Sequence, residues 1–297
     1  PQRCGKELTD YYVSEKNDIL LSCGGGELMC EILDYIDFEQ LAAAAPKWYV
    51  GYSDNTNFTF LLTTLLETAS IYAPCAPAFG MEPWHECIQD LWDVLHGRKL
   101  KFSGYPAWEK ESLKSPEQPL LPYHITEPRV IKIFSSDGKI FSSDEAHASL
   151  KNSKEDGIFM EGRLLGGCMD CLVNLLGTKY DNVANYIEKY CQDGFIWFLE
   201  ACDLNVFGIR RAVWQMEHAG WFQHVKGFLV GRPYCFGNET MGLDQYHAVT
   251  GLLSKYNVPI IMDMDFGHLP PAMPIICGSY AKIYAKGNEV QLQYELV

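Results

Sequence analysis

A chain of 297 residues can bury a sizeable core as one large or two medium domains. Its 47% apolar and 21% charged content is that of a folded globular protein. A formal charge of −14, with no basic run, argues against nucleic acid and against an anionic membrane surface as partners.

There is no run of 18 apolar residues and no signal-peptide pattern at the start, so the expected setting is the cytoplasm. The eleven cysteines fit that setting: their number is odd, their spacing is irregular, and Cys30, Cys171, Cys191 and Cys277 lie inside apolar segments, as free thiols do. Cys168-x-x-Cys171 is the one close pair. Without a second pair or spaced histidines it is a weak zinc signal, and in "GRLLGGCMDCLVNLLG" it reads as the start of a helix.

In chain order, "NDILLSCGGGELMCEILDYID" predicts a strand, a triple glycine and an amphipathic helix. Trp48 to Tyr52 reads as a buried strand and Phe58 onward as an apolar helix. "ASIYAPC" is a third strand and "HECIQDLWDVLHG" a further helix. Strands alternating with helices predict a parallel sheet, with functional groups at the carboxyl ends of its strands. From Tyr105 to Asp156, proline, serine and charged residues dominate, with one hairpin expected around "VIKIFSSDGKIF". The second half predicts "FMEGRLLGG" leading into a helix, then the strand "GFIWFLEAC" and the helix "GIRRAVWQMEHAGWF". "VKGFLVGRP" and "VPIIMDMDFGH" are further strands, and Gly287-Asn288 turns a terminal hairpin. The expected division is 1–104, 105–156 as a connection with peripheral β structure, and 157–297.

Ser53-Asp54-Asn55-Thr56 occupies a strand-to-helix corner with no loop to spare, and two readings compete. All four residue types cap helix N-termini through their side-chain oxygens. A serine on such a corner is also lifted out of the sheet, as in a nucleophile elbow, although Asn55 stands where G-x-S-x-G has its second glycine. Two more strands end in catalytic residue types: Glu200 follows "FIWFL" and His268 follows "IIMDMDFG". Serine, imidazole and carboxylate are the minimal set for acyl transfer. Taken singly, Glu200 reads equally as a strand-end carboxylate and His268 as a loop histidine bonded to backbone near Pro270-Pro271. Gly24-Gly25-Gly26 reads as a tight turn or as a source of amides for an anion. The dinucleotide fingerprint and the Walker pattern are both absent, which disfavours phosphate cofactors.

"GGG" before "LDYID", then "PKWYVGYSDNT", "GRLLGGCMDCLVNLLGT", "FLEA" and "DFGH" occur in the order found in the serine LD-carboxypeptidases, which this chain resembles over nearly its whole length. That family includes muramoyl-tetrapeptide carboxypeptidases and microcin C immunity peptidases, and "LDYID", "GYSDNT" and the long middle segment lie nearer the second branch. The resemblance implies an α/β fold in which a Rossmann-like N-terminal domain joins a C-terminal α/β domain with mixed β structure, the active site lying between them. It implies a triad of Ser53, Glu200 and His268, with an oxyanion hole made by the amide of Asp54 and that of Gly25 or Gly26. It implies a homodimer acting without metal or organic cofactor on a small peptide or muropeptide, such as one losing a terminal D-alanine at an L–D junction. An aminoacyl-nucleotide antibiotic is the alternative substrate, and a non-catalytic peptide-binding module of the same fold is the alternative function. Arg163, Arg210 and Arg232 are the candidate cations for a substrate carboxylate, by residue type alone. The chain departs from the family in having Cys168-Met169 where "GGNL" is usual, and in showing no first strand before Asp18, so the N-terminal domain is expected to be incomplete at its start.

Overall fold

The computed structural model describes residues 1–134 and 157–296. Its strands form two main sheets. The smaller has four strands in the order β1-β2-β3-β12: β1 (Ile19–Leu21), β2 (Trp48–Val50) and β3 (Ser70–Tyr72) run parallel, and β12 (Ile275–Cys277) closes the edge antiparallel to β3. The larger has eight strands. Its centre is the parallel run β8 (Ile158–Cys168), β9 (Phe195–Glu200), β10 (Val225–Gly231) and β11 (Ile260–Met264). Antiparallel strands flank it: β13 (Tyr280–Lys286), β14 (Glu289–Glu295) and β4 (Lys101–Phe102) on one side, β7 (Lys132–Phe134) on the other. A separate two-stranded ribbon joins β5 (Ala107–Trp108) to β6 (Glu127–Pro128).

Burial follows the sequence pattern. Every residue of β9, "FIWFLE", is buried, as expected of a parallel strand covered on both faces. The terminal hairpin alternates buried residues with half-buried ones in β13 and exposed ones in β14, as an antiparallel pair with one wetter face should, and Gly287-Asn288 turns it between the paired residues Lys286 and Glu289.

The helices are α1 (Gln2–Val13), α2 (Phe38–Ala43), α3 (Thr56–Leu66), α4 (Glu86–Leu95), α5 (Met169–Leu175), α6 (Val183–Lys189), α7 (Val206–His218) and α8 (Gln245–Leu253). Helix α3 is buried from Thr56 to Thr64 because it lies between the two sheets, packed on β3 and on β8. From it Phe60 stacks on Trp221 at 5.3 Å, and Trp221 stacks on Trp197 of β9 at 5.7 Å, so both sheets share one core. Among the described residues no helix is long and apolar enough to cross a membrane.

Two expectations need correction, and a third falls partly outside the described residues. The sheets exchange strands, so no cut between 104 and 157 separates them: β12 returns to the first sheet, while β4 and β7 belong to the second. Gly24-Gly25-Gly26 does not open an α-helix. A loop follows it, then a 3₁₀ turn over Met29–Tyr35, and the short α2 begins only where the Asp37 side chain accepts from the Gln40 amide. The "VIKIF" arm of the expected hairpin pairs along β11 as β7, and its other arm lies outside the described residues.

Gly166-Gly167, near the end of β8, sets the distance between layers. Gly166 has φ +152°, and a Cβ there would collide with the Phe198 carbonyl of β9; a Cβ on Gly167 would come within 2.6 Å of Thr56 in α3. A methyl group at 166 combines backbone strain with overpacking, so Gly166→Ala is expected to lose at least about 3 kcal/mol in urea-induced unfolding.

Candidate active site

Ser53 stands at φ +62°, a conformation rare for any residue but glycine, asparagine or aspartate. Such a residue costs about 1–3 kcal/mol and persists only where its surroundings determine it. Here Asn55 does much of that. Its Nδ2 donates to the carbonyls of Gly24 (2.9 Å) and Tyr52 (3.0 Å), and its Oδ1 accepts from the Tyr49 hydroxyl (2.5 Å). Gly51 gives it room, since a Cβ there would lie 2.6 Å from the Asn55 Cγ. The Ser53 amide donates to the Tyr72 hydroxyl at 3.2 Å.

Of the two readings of the corner, capping is not what these side chains do. Asp54 Oδ2 accepts from the Met29 amide (2.8 Å) and Oδ1 from Asn57 Nδ2 (2.9 Å), while Thr56 Oγ1 accepts from the Cys168 amide at the end of β8 (3.0 Å). A 3₁₀ turn over Ser53–Asn55 leads into α3, and neither turn nor helix has a side-chain cap. The polar side chains are freed to tie the corner to its neighbours. Gly25 and Gly26 lie over it: a Cβ on Gly25 would stand 3.1 Å from the Ser53 Oγ, and one on Gly26 3.0 Å from the Asp54 Oδ2.

Glu200 ends β9, in register with Cys168 on β8, and is fully buried. Its Oε1 accepts from the Tyr72 hydroxyl and its Oε2 pairs with His268 Nδ1 at 2.9 Å. Gly267, at φ +106°, permits this approach, because a Cβ there would lie 2.9 Å from the Glu200 Oε2. With Nδ1 donating to the carboxylate, Nε2 is the nitrogen left to accept, and it is buried with no hydrogen-bond partner. The Tyr52 ring, next to Ser53 in the chain, packs on the imidazole at 5.0 Å.

Burial alone would raise the Glu200 pKa, but the His268 charge and the donors around it hold it below the usual carboxylate range. Burial alone would lower that of His268, but the Glu200 carboxylate, with Cys202 beside the ring, holds it above the ordinary imidazole range. The pairing thus favours the charged form of each partner.

The residues singled out by sequence thus lie together: Tyr72 bonds both the Ser53 corner and Glu200, Glu200 holds His268, and the glycines cover the corner. The three arginines are committed elsewhere. Arg163 pairs with Asp193 (2.7 Å), Arg210 donates to the His247 carbonyl (2.9 Å), and Arg232 pairs with Asp265 (2.7 Å) beneath Trp108. Sequence reasoning passed over Asp170, whose carboxylate accepts from the amides of Cys202, Asp203 and Leu204 at 3.1, 2.9 and 3.2 Å, fixing the loop that leaves Glu200. It passed over Tyr72 as well, although Tyr72 ends its strand as Glu200 does. Among the described residues no group of three or more His, Cys, Asp or Glu converges as a metal site, and the Cys171 thiol points at the Ser53 carbonyl (3.6 Å).

Fold and site together define an α/β protein of two interlocked sheets, with serine, imidazole and carboxylate gathered at the strand ends. Residues 1–73 match the LD-carboxypeptidase N-terminal domain and residues 161–283 the LD-carboxypeptidase C-terminal domain, together more than half of the chain. The chain belongs to this family of serine peptidases. SCO6489 of Streptomyces coelicolor, a carboxypeptidase by name, is 23% identical over 279 residues, 93% of this chain and 71% of that protein. Among solved structures, MccF in complex with glutamyl sulfamoyl guanosine is similar with a TM-score of 0.78 at 18% identity, over 99% of this chain and 81% of that one. An MccF-like protein from Streptococcus pneumoniae in complex with AMP is similar at 0.74 and 19%, over 99% and 83%. The fold is therefore the MccF fold.

Asn55→Ala removes a buried side chain that satisfies three partners, and each orphaned polar group costs about 1–3 kcal/mol. The variant is expected to unfold at least about 2 kcal/mol more easily than wild type in urea.

Proposed function

We propose that the chain is a serine peptidase of the LD-carboxypeptidase type, hydrolysing a peptide amide at an L–D junction, as in the release of a terminal D-alanine from a muramoyl tetrapeptide. The observation that carries this reading is the buried Glu200–His268 pair, whose second ring nitrogen makes no hydrogen bond, joined through Tyr72 to a serine in a strained corner. His268 Nε2 takes the proton of the Ser53 hydroxyl as Oγ bonds to the scissile carbonyl carbon. The oxyanion is held by the amides of Asp54 and of Gly25 or Gly26, each good donor contributing about 3 kcal/mol. The amide of Ser53 is not in this set, because the Tyr72 hydroxyl already takes it. The imidazolium passes its proton to the leaving amine as the C–N bond breaks. Water, deprotonated by the same nitrogen, then releases the acyl group.

A second substrate class is favoured by the structural neighbours, one of which holds glutamyl sulfamoyl guanosine and another aspartyl sulfamoyl adenosine. An aminoacyl-nucleotide amide is cleaved by the same steps, with the amino group of the nucleotide portion as the leaving amine.

A fluorophosphonate probe is expected to label Ser53 in the wild type and nothing in Ser53→Ala, the adduct being located by mass spectrometry. Absence of label would remove the hydrolase reading and leave a peptide-binding module. With label present, mass-spectrometric hydrolysis assays compare a muramoyl tetrapeptide with an aminoacyl sulfamoyl nucleoside. The cleaved substrate names the class, and Ser53→Ala should lower that rate at least about 10⁴-fold.

The base must be neutral to act, so kcat/KM should rise with pH as His268 loses its proton. Because Glu200 favours the imidazolium, the midpoint of that rise is expected above the ordinary imidazole value of about 6.5, and Glu200→Gln should move it down. A midpoint at or below 6.5 in the wild type would contradict the pairing.

A further inference from the structure

We infer that Tyr72 is a positioning residue of this site: its hydroxyl joins the nucleophile's corner on one sheet to the acid of the imidazole pair on the other, and sets how tightly His268 holds its proton. The inference takes its catalytic meaning from the hydrolase reading above, but its geometry and its test do not depend on turnover.

The direction of the two bonds is forced. The Ser53 amide can only donate, so the phenol oxygen accepts from it, and the one phenol proton is left for Glu200 Oε1. Tyr72 ends β3 and Glu200 ends β9, so this is a single-atom bridge between the sheets at the level of the chemistry. Both side chains are buried, with Tyr72 1% and Glu200 0% exposed, so water cannot readily take the phenol's place. Burial, with the Glu200 charge beside it, holds the phenol pKa well above its ordinary value, so the donor stays a donor throughout the working range.

The effect on His268 follows from what faces the pair. Glu200 is met by His268, Tyr72 and the Cys168 thiol, and Cys168 in turn by Asp170. The imidazole is met by Glu200, the thiols of Cys202 and Cys75, and the Tyr52 ring. Of these neighbours, Tyr72 is the one bonded to both the carboxylate and the Ser53 corner. When His268 gives up its proton, Glu200 is left as a lone buried anion, and the donors that remain decide how tolerable that is. A donor to Oε1 stabilises the lone carboxylate, so it loosens the imidazole's hold on the proton and keeps neutral, base-competent His268 within reach. It also ties that carboxylate to the serine corner, so the acid and the nucleophile cannot drift apart independently.

The test follows the His268 imidazole by NMR as a function of pH. Its signal is assigned among the eight histidines by its loss in His268→Gln. Tyr72→Phe keeps the ring and removes the hydroxyl, and His268 is expected to bind its proton about tenfold more tightly. An unchanged midpoint would overturn the inference, since a merely packing role does not move a titration. In a Glu200→Gln background the same substitution should have little effect, and an undiminished shift there would also overturn it. Site-specific 3-fluorotyrosine at 72 retains the hydroxyl as a stronger donor and should move the midpoint down, which keeps the inference falsifiable should Tyr72→Phe fail to fold. Loss of fluorophosphonate labelling in the wild type would instead remove the hydrolase reading while leaving these titrations to decide the role of Tyr72.

Discussion

A carboxylate with no access to water is the constraint on which the rest of this structure turns. Glu200 is fully buried between two sheets, and an isolated charge there would be far too costly to keep. Its partners come from different parts of the chain: Tyr72 from the first sheet, His268 from the segment after β11, and Cys168 from the neighbouring strand. Satisfying one anion therefore requires both sheets to be assembled. Removing a partner does more than delete a bond, because it leaves a buried charge short of compensation.

Bringing backbone that close needs residues without side chains at a few points. Gly267 lets the histidine segment lie against Glu200, Gly166 lets β8 lie against β9, and Gly167 lets the end of β8 meet Thr56 of α3. The same contact lets Thr56 take the Cys168 amide, which joins the first turn of the nucleophile's helix to the strand beside Glu200. Strand exchange reinforces the arrangement. Because β12 lies in the first sheet while β11 and β13 on either side of it in the chain lie in the second, the polypeptide crosses between sheets both before and after β12, the first time through the segment that carries His268. Relative motion of the two layers is resisted covalently as well as by packing.

Much of this was legible in the sequence, and what was not has physical reasons. Ser53, Glu200 and His268 each follow an apolar run, and parallel strands declare themselves that way because both of their faces are covered. Strand β12 was hidden because it has three residues between a proline-rich loop and a glycine, too short for any periodicity. Helix α1 gives no such signal, because "PQRCGKELTDYY" has little apolar content to set a stripe. Of the two readings of the corner, capping fails in a more instructive way. Ser, Asp, Asn and Thr cap isolated helix ends, but this helix starts inside the protein, where other donors compete for the same oxygens: the Met29 amide takes that of Asp54, the Tyr49 hydroxyl that of Asn55 and the Cys168 amide that of Thr56. Residue type told that these side chains accept hydrogen bonds; only the fold told from whom.

That competition bears on how the serine can be both strained and reliable. A positive φ at Ser53 would relax if the corner were held only by its own helix, because a cap moves with the turn it caps. Here Asn55 holds the carbonyls of Gly24 and Tyr52, Asp54 holds the Met29 amide, and Tyr72 holds the Ser53 amide. The ties run to the glycine loop, to the 3₁₀ turn and to β3, so relaxation of the corner would require three separate elements to shift together. The strain is thus shared by a packed interior and does not rest on one turn, the condition under which an off-preference conformation survives in a native state whose whole stability is small.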